Sequence, residues 1–202
     1  MKELSKSGII DMVLEFAKMK EMASLKKTDG QKRANLRGLA KLKDADWAGK
    51  RKSKQCRLIL TEGDSAKTFA IAGLDVIGHE KYGVFPLKGK LLNVRDASPK
   101  TLLNNEEIKN IKQILGLKHG KDYTDISRLR YGGIIILVDQ DLDGSHIKGL
   151  LINFLHFFWP SLVKREGFVQ CLATPLKKVW KKTDTKIAKA KIFYTAKEYE
   201  KW

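Results

Sequence analysis

Three aspartates at alternate positions stand at the end of an apolar run. Asp139-Gln140-Asp141-Leu142-Asp143-Gly144-Ser145-His146 follows Gly133-Ile134-Ile135-Ile136-Leu137-Val138. In an extended loop, residues i and i+2 project to the same side, so Asp139 and Asp141 can face one cation. Carboxylate oxygens are hard ligands that suit Mg2+, Mn2+ or Ca2+ and not zinc. Without a counter-charge, three carboxylates at a strand end repel one another, and a divalent ion removes that cost.

Two known loop types share part of this string. An EF-hand calcium loop opens D-x-D-x-D-G. It requires Glu at its twelfth position, which counted from Asp139 is Leu150, and a helix where this chain has a strand-like run. That reading is rejected. Asp141-Leu142-Asp143-Gly144-Ser145 also resembles the nucleophile loop of haloacid dehalogenase-type phosphatases. Such enzymes need acidic metal ligands further on. After Asp143 only Glu166, Asp184, Glu198 and Glu200 remain, none behind a strand-like run.

The third reading pairs the loop with Glu62, in Thr61-Glu62-Gly63-Asp64-Ser65-Ala66. A lone Glu in such a turn is more often a cap than a catalyst. Beside a strand-end aspartate cluster it completes a different set. One Glu with two or three Asp holds one or two metal ions and leaves positions for phosphate oxygens, as in metal-assisted phosphoryl transfer. Gly63 removes side-chain bulk beside it, so backbone or substrate can approach closely.

The elements that must position these residues follow from the apolar pattern. Ile9, Ile10, Val13, Leu14, Phe16 and Ala17 recur at helical spacing and predict an amphipathic helix over 8–23. Residues 24–56 lose periodicity and carry Lys26, Lys27, Lys32, Arg33, Arg37 and Lys50-Arg51-Lys52, which reads as a linker or mobile basic loop. Leu58-Ile59-Leu60-Thr61 predicts a short strand, and Asp64 or Ser65 would cap the helix that follows. Residues 104–117 read as a helix, 133–138 as a strand buried on both faces, 146–159 as a long apolar helix and 169–173 as a further strand. Residues 176–202 are basic and aromatic. Strand–loop–helix thus occurs twice, each time with acidic residues at the strand's C-terminal end, where open α/β sheets place their sites.

The net charge of +17 is unevenly spread. Residues 1–57 hold 16 basic and 7 acidic side chains, 58–150 hold 13 and 12, and 151–202 hold 11 and 4. Basic flanks around a carboxylate-rich centre suit a chain that binds a polyanion and acts on it through metal ions. No apolar run reaches membrane length; the longest, Leu150 to Trp159, is broken by Asn153 and His156. The N-terminus lacks a signal-peptide pattern. Cys56 and Cys171 form no metal motif and suggest a reducing compartment. His79, His119 and His156, without acidic or Cys neighbours at ligand spacing, read as structural, and Phe154, Phe157, Phe158 and Trp159 read as core.

The Glu62 turn together with Asp139-Gln-Asp141-Leu-Asp143-Gly144 resembles the toprim signature of one Glu and a DxD motif. Longer strings narrow the likeness. Glu62-Gly-Asp-Ser-Ala66, Pro86-Leu-Lys-Gly-Lys-Leu-Leu-Asn-Val-Arg95 and Asp139 through Leu151 resemble type II DNA topoisomerases of the eukaryotic or eukaryote-like viral branch. The resemblance implies an α/β toprim fold, a mostly parallel sheet flanked by helices with an N-terminal helical arm and a basic linker. It implies the end of a transducer helix over 1–23, the linker over 24–56, the toprim domain over 57–175 and the start of a winged-helix region over 176–202.

The same resemblance implies the roles. Glu62 acts as general acid/base and metal ligand. Asp139 and Asp141 hold Mg2+, with Asp143 supporting a second position; Mn2+ or Ca2+ can substitute in binding. Lys88, Lys90, Asn93, His146 and Lys148 approach the backbone of double-stranded DNA. The family usually carries Arg where this chain has Lys88; Lys keeps the charge and loses the planar fork. The implied parent is a homodimer that uses ATP outside this segment, in a nucleus or a virus-infected cell. The tyrosine that attacks DNA is expected after Trp202, so the segment alone is expected not to cleave DNA. A metal-independent DNA-binding scaffold, or a toprim nuclease or primase, are the alternatives.

Overall fold

The computed structural model describes residues 9–36, 38–180 and 190–202. Residues 1–8, Arg37 and 181–189, which include parts of the expected arm, linker and C-terminal region, lie outside the described residues.

Four parallel strands form the central sheet, in the order β2-β1-β3-β4: β1 Arg57–Glu62, β2 Tyr82–Leu87, β3 Gly133–Leu137 and β4 Val169–Cys171. In register, Arg57 lies between Tyr82 and Gly133, and Thr61 between Pro86 and Leu137. The two central strands are apolar because both faces are covered. On one face Leu58, Leu60, Ile134 and Ile136 join the main core with Ile111, Ile114, Phe154 and Trp159. On the other, Ile59, Val84 and Leu137 meet Ala70 and Leu74. The fold is therefore α/β, with a parallel sheet covered by helices, as the resemblance implies.

β2 was not legible as a strand. Its Tyr82-Gly83-Val84-Phe85-Pro86-Leu87 carries a Gly and a Pro, both depleted in strands. Pro86 is tolerated because β2 is an edge strand of the sheet. The other side of β2 is met at one point, where Lys43 forms an antiparallel bridge with Val84.

The helices are α1 Ile9–Lys26, α2 Gly63–Ile77, α3 Pro99–Asn104, α4 Glu106–Leu115, α5 Leu142–Phe158 and α6 Pro160–Lys164. Four differ from the sequence expectation at their ends: α1, expected to stop at residue 23, runs on to Lys26, and three more follow. The expected 104–117 helix is split: Asn105 ends α3 and caps α4, accepting the Ile108 N–H at 2.9 Å. α5 begins at Leu142 and not at 146, so Asp143 lies in its first turn. α2 is capped by neither Asp64 nor Ser65; Glu62 holds the N-cap position without a side-chain cap bond, and Asp64 pairs with Lys41 at 2.7 Å.

α1 is a helix, but Ile9, Ile10, Val13, Leu14 and Phe16 are exposed, and only its last turns meet the domain, through Leu25 and Met22. Among its described residues, the segment after it has only the Lys43 bridge and a short 3-10 turn at Ser53–Gln55, yet it is fixed to the domain. Arg130, 3% exposed, donates to Asp44 and to the carbonyls of Ala34 and Ile114, and Tyr131 Oη also donates to Asp44. Ala45, Ala48, Ser53 and Cys56 are buried. A stretch without periodicity is held by side-chain ion pairing, which a pattern search does not register.

Beyond the sheet, β5 Lys177–Val179 pairs antiparallel with β6 Lys191–Phe193, followed by α7 Ala196–Lys201. Thr195 and Glu198 form a reciprocal capping box at the start of α7. Among the described residues, no helix is long and apolar enough to cross a membrane.

Candidate functional site

Glu62 is the last residue of β1, and Asp139 lies two residues past β3, its neighbour in the sheet. The parallel pairing therefore delivers both to one sheet edge, with Asp141 and Asp143 at the start of α5. The turn after Glu62 is made by Gly63 at φ +77°, a left-handed conformation that side chains rarely adopt. A Cβ on Gly63 would meet nothing within 4 Å, so backbone conformation, and not bulk, demands the glycine. Thr61 Oγ1, buried, donates to the Gly63 carbonyl at 3.1 Å and fixes the turn.

The capping interpretation of Glu62 fails, because its side chain makes no cap bond. Its Oε2 is shielded from solvent and has no hydrogen-bond partner. Burial, and then the charges of Asp141, Asp139 and Asp143, push the Glu62 carboxyl above the ordinary glutamate range, while Lys90 pulls it down. The four carboxylates thus act on one another electrically. A pocket of about 320 Å3 opens between Glu62, Ser65, Phe69, Asp139 and Thr174.

The aspartates have separate structural duties. Asp141 is the N-cap of α5, and the Gly144 N–H donates to its Oδ1 at 2.7 Å. Asp143 pairs with Lys90 at 2.8 Å. The hydrogen bond and charge of Lys90 hold the Asp143 carboxyl below the usual range, and Asp143 raises the Lys90 ammonium in turn. A Cβ on Gly144 would lie 2.0 Å from the Asp139 carbonyl oxygen, so only glycine lets α5 start against the loop. Among the described residues, no three His, Cys, Asp or Glu side chains already close on one point. The donor set is nevertheless all hard oxygen, with one buried oxygen unpaired, and so fits a divalent ion of the Mg2+ type.

The basic residues gather at the same edge with different freedom. Lys88 and Lys90 follow β2, and His146 and Lys148 lie on α5. The Lys88 charge reaches Asp64 and Glu107. Lys148 Nζ donates to Gln140 Oε1 at 2.8 Å, which ties the helix to the aspartate loop. Asn93 is the most committed: it donates to Asp96, and its Oδ1 accepts from Asn153 of α5 at 3.0 Å. The Lys90–Asp143 pair and the Gly144 fit had no independent sequence signal, since both depend on tertiary contact.

The structural reading of the remaining histidines needs one correction. His79 does have an acidic neighbour, Asp75, one turn back, with Nε2 and Oδ1 3.0 Å apart. His119 is buried against Phe158 and Met22. Of the aromatic cluster, Phe154 and Trp159 are core, whereas Phe157 is exposed.

Comparison with known proteins agrees with this geometry. The Toprim domain family matches residues 57–171. DNA topoisomerase 2 of Pisum sativum is 54% identical over 202 residues, which are all of this chain and 14% of that protein. DNA topoisomerase 2 of Acanthamoeba polyphaga mimivirus is 56% identical over all of this chain and 16% of its own length. The crystal structure of the Plasmodium falciparum topoisomerase II DNA-binding, cleavage and re-ligation domain superimposes with a TM-score of 0.74 at 55% identity, covering 84% of this chain and 23% of that one. The chain spans about one seventh of the length of the curated relatives it matches. With its glutamate and aspartates on one edge of a four-stranded parallel sheet, the chain belongs to the Toprim domain family, and the relatives it resembles over its whole length are type II DNA topoisomerases.

Proposed function

We propose that this chain supplies the metal-holding half of the DNA cleavage and religation site of an ATP-dependent type II topoisomerase. The observation that carries the proposal is the solvent-shielded, unpartnered Glu62 Oε2, on whose carboxyl the charges of Asp141, Asp139 and Asp143 all act. Glu62, Asp139 and Asp141 would hold the first Mg2+, and Asp143 a second position once released from Lys90. Bound there, Mg2+ supplies Lewis-acid stabilisation of phosphate and leaving-oxygen charge. The raised Glu62 carboxyl can retain a proton where an ordinary glutamate has lost it, which suits a group that passes one to and from a departing oxygen. Lys88, Lys90 and Lys148 place positive charge, and His146 an imidazole hydrogen-bonding group, along the approach of a DNA backbone. Asn93 positions the 88–96 loop against α5 through Asn153.

In this reading residues 1–23, 24–56 and 176–202 are the transducer end, the linker and the entry to the winged-helix region. The parent is a homodimer acting on duplex DNA in a nucleus or a virus-infected cell.

One observation favours a second reading. Asp141 is already a helix cap and Asp143 already an ion-pair partner, as a metal-independent DNA-binding scaffold requires. Mn2+ titration by calorimetry separates the two, with wild type and Asp139→Ala/Asp141→Ala, each with and without a short nicked duplex. Saturable binding that strengthens with DNA and disappears in the variant is the expected result. Equal behaviour of the two proteins overturns the metal reading in favour of the scaffold.

A further inference from the structure

A second concentration of positive charge lies away from the carboxylate edge. A pocket of about 250 Å3 is lined by Lys32, Arg33, Lys118, Lys121 and Arg128 around Tyr123. Among the described residues, no acidic side chain lines it. Some surface cations elsewhere have a carboxylate partner: Lys41 with Asp64, Lys54 with Asp125, Lys90 with Asp143 and Lys109 with Glu106. In the pocket, among the described residues, the side chains of Arg33, Lys118 and Arg128 have no such partner. Five like charges around one hollow repel one another, and an anion removes that cost.

The hollow is built and not incidental. Lys32 Nζ donates to the Ser127 carbonyl at 2.5 Å and clamps the 31–33 segment to the loop bearing Arg128. Tyr123, 2% exposed, forms a fixed floor. Its hydroxyl accepts the Lys118 N–H at 2.7 Å, and its own N–H donates to Ser161 Oγ at 3.1 Å. The Lys121 ammonium lies 6.0 Å from the Tyr123 ring centroid. The pocket sits at the other end of α4 from the metal edge. The Lys88 charge reaches Glu107 in the first turn of α4, whereas Gly116, its C-cap, lines the pocket. At 1.5 Å per residue, α4 separates the two by about 14 Å.

We propose that this pocket is a phosphate-binding site, independent of the carboxylate site. Two guanidinium forks and three ammonium groups match the charge and the several acceptor oxygens of a phosphate better than those of a carboxylate. The phosphate can come from a DNA backbone, as a second anchor beyond the metal edge, or from a free phosphate-bearing molecule.

The test uses the full 202-residue chain in EDTA, so the outcome does not depend on metal at Glu62 and the aspartates. Arg33→Gln/Arg128→Gln removes two exposed charges without touching the core; thermal unfolding checks that it stays folded. Lys197→Gln/Lys201→Gln, on exposed α7, is the charge-matched control, and Asp139→Ala/Asp141→Ala should retain the pocket's binding. One arm follows anisotropy of a labelled short duplex across a NaCl series. The other follows amide NMR shifts at Gly116 and Gly120 on adding inorganic phosphate.

For a DNA anchor, the slope of log K against log salt flattens by about 1.8 in the pocket variant, two phosphate contacts at about 0.9 each, and by less than half of that in the control. For a free-phosphate site, the shifts saturate in wild type and vanish in the pocket variant, while its DNA slope matches the control. Either result sustains the site. If the pocket variant matches the control in DNA binding and phosphate produces no saturable shift in wild type, the proposal is overturned.

Discussion

Lys90, on the loop after β2, and Asp143, in the first turn of α5, are joined by a 2.8 Å ion pair across the edge of the sheet. One partner comes from the string resembling a DNA-contacting loop, the other from the string resembling a metal loop. Without metal or DNA, each neutralises the other. Any ion that takes Asp143 as a ligand must compete with Lys90, and any phosphate that takes Lys90 frees Asp143. The two halves of the site are thus electrically coupled before a ligand arrives.

Lys90→Ala should raise the Asp143 carboxyl pKa toward the ordinary aspartate range, because the hydrogen bond and charge of Lys90 are what depress it. Carboxyl 13C NMR titration of wild type and variant measures this directly. A depressed carboxyl stabilises the fold above its unfolded pKa and loses that contribution as pH falls through the folded value. Both side chains are solvated, so the stability change should be slight; an unmoved Asp143 titration would show that the pair does not persist in solution.

Glu62 carries the opposite sign. Its folded pKa is raised, so between the unfolded and folded values the native state holds a proton that the unfolded chain has lost. Stability then falls as pH rises through that window and stays lower above it. In EDTA, Glu62→Gln should be more stable than wild type at neutral pH and equal to it below about pH 4, where glutamate is protonated in both states. Urea denaturation across pH reads the difference; a variant less stable at neutral pH would mean that the carboxylate has a partner.

Gly63→Ala tests the turn. At φ +77° an L side chain costs about 1–2 kcal/mol, although there is open space for the methyl. The expected loss in urea denaturation is in that range. Divalent-ion affinity should weaken as well, since relaxation of the turn moves Glu62. An unchanged stability would place the strain elsewhere.

The legible parts of this protein were those built from local pattern. β1, β3 and α5 announce themselves through apolar runs, and Glu62 and Asp139 are read as site residues because each follows such a run. β2 hid behind Gly83 and Pro86, and its place in the sheet rests on pairing with β1, which no local window contains. The segment from Asp44 to Cys56 reads as a loose linker because its attachment depends on Arg130 and Tyr131, more than 80 residues away. The site was legible as a set of residues, but not as a geometry. That Asp141 caps a helix and Asp143 answers to Lys90 follows only when α5 is known to start at Leu142.

That attachment is itself testable. Asp44→Ala leaves the Arg130 guanidinium, whose side chain is 4% exposed, without its carboxylate. Removing one partner of such a pair costs about 3 kcal/mol, at the lower end because Asp44 is partly solvated. Glu106→Ala, which breaks the exposed pair with Lys109, should cost under about 0.5 kcal/mol. Chemical denaturation of both variants gives the contrast, and equal losses would show that the segment is not held through Arg130.

Asp141 separates structure from chemistry most cleanly, because the two roles use different properties of one side chain. As an N-cap it needs only an acceptor oxygen for the Gly144 N–H, and Asn serves almost as well as Asp. As a metal ligand it needs negative charge, which Asn lacks. Asp141→Asn should therefore keep wild-type stability and lose Mn2+ affinity in calorimetry. Asp141→Ala should lose the affinity and about 1 kcal/mol of stability besides. If Asp141→Asn binds Mn2+ as wild type does, capping is the whole role of Asp141, and metal must rest on Glu62 and Asp139. If both variants unfold more easily by the same amount, the charge serves the fold, through the attraction of a carboxylate to the positive end of α5.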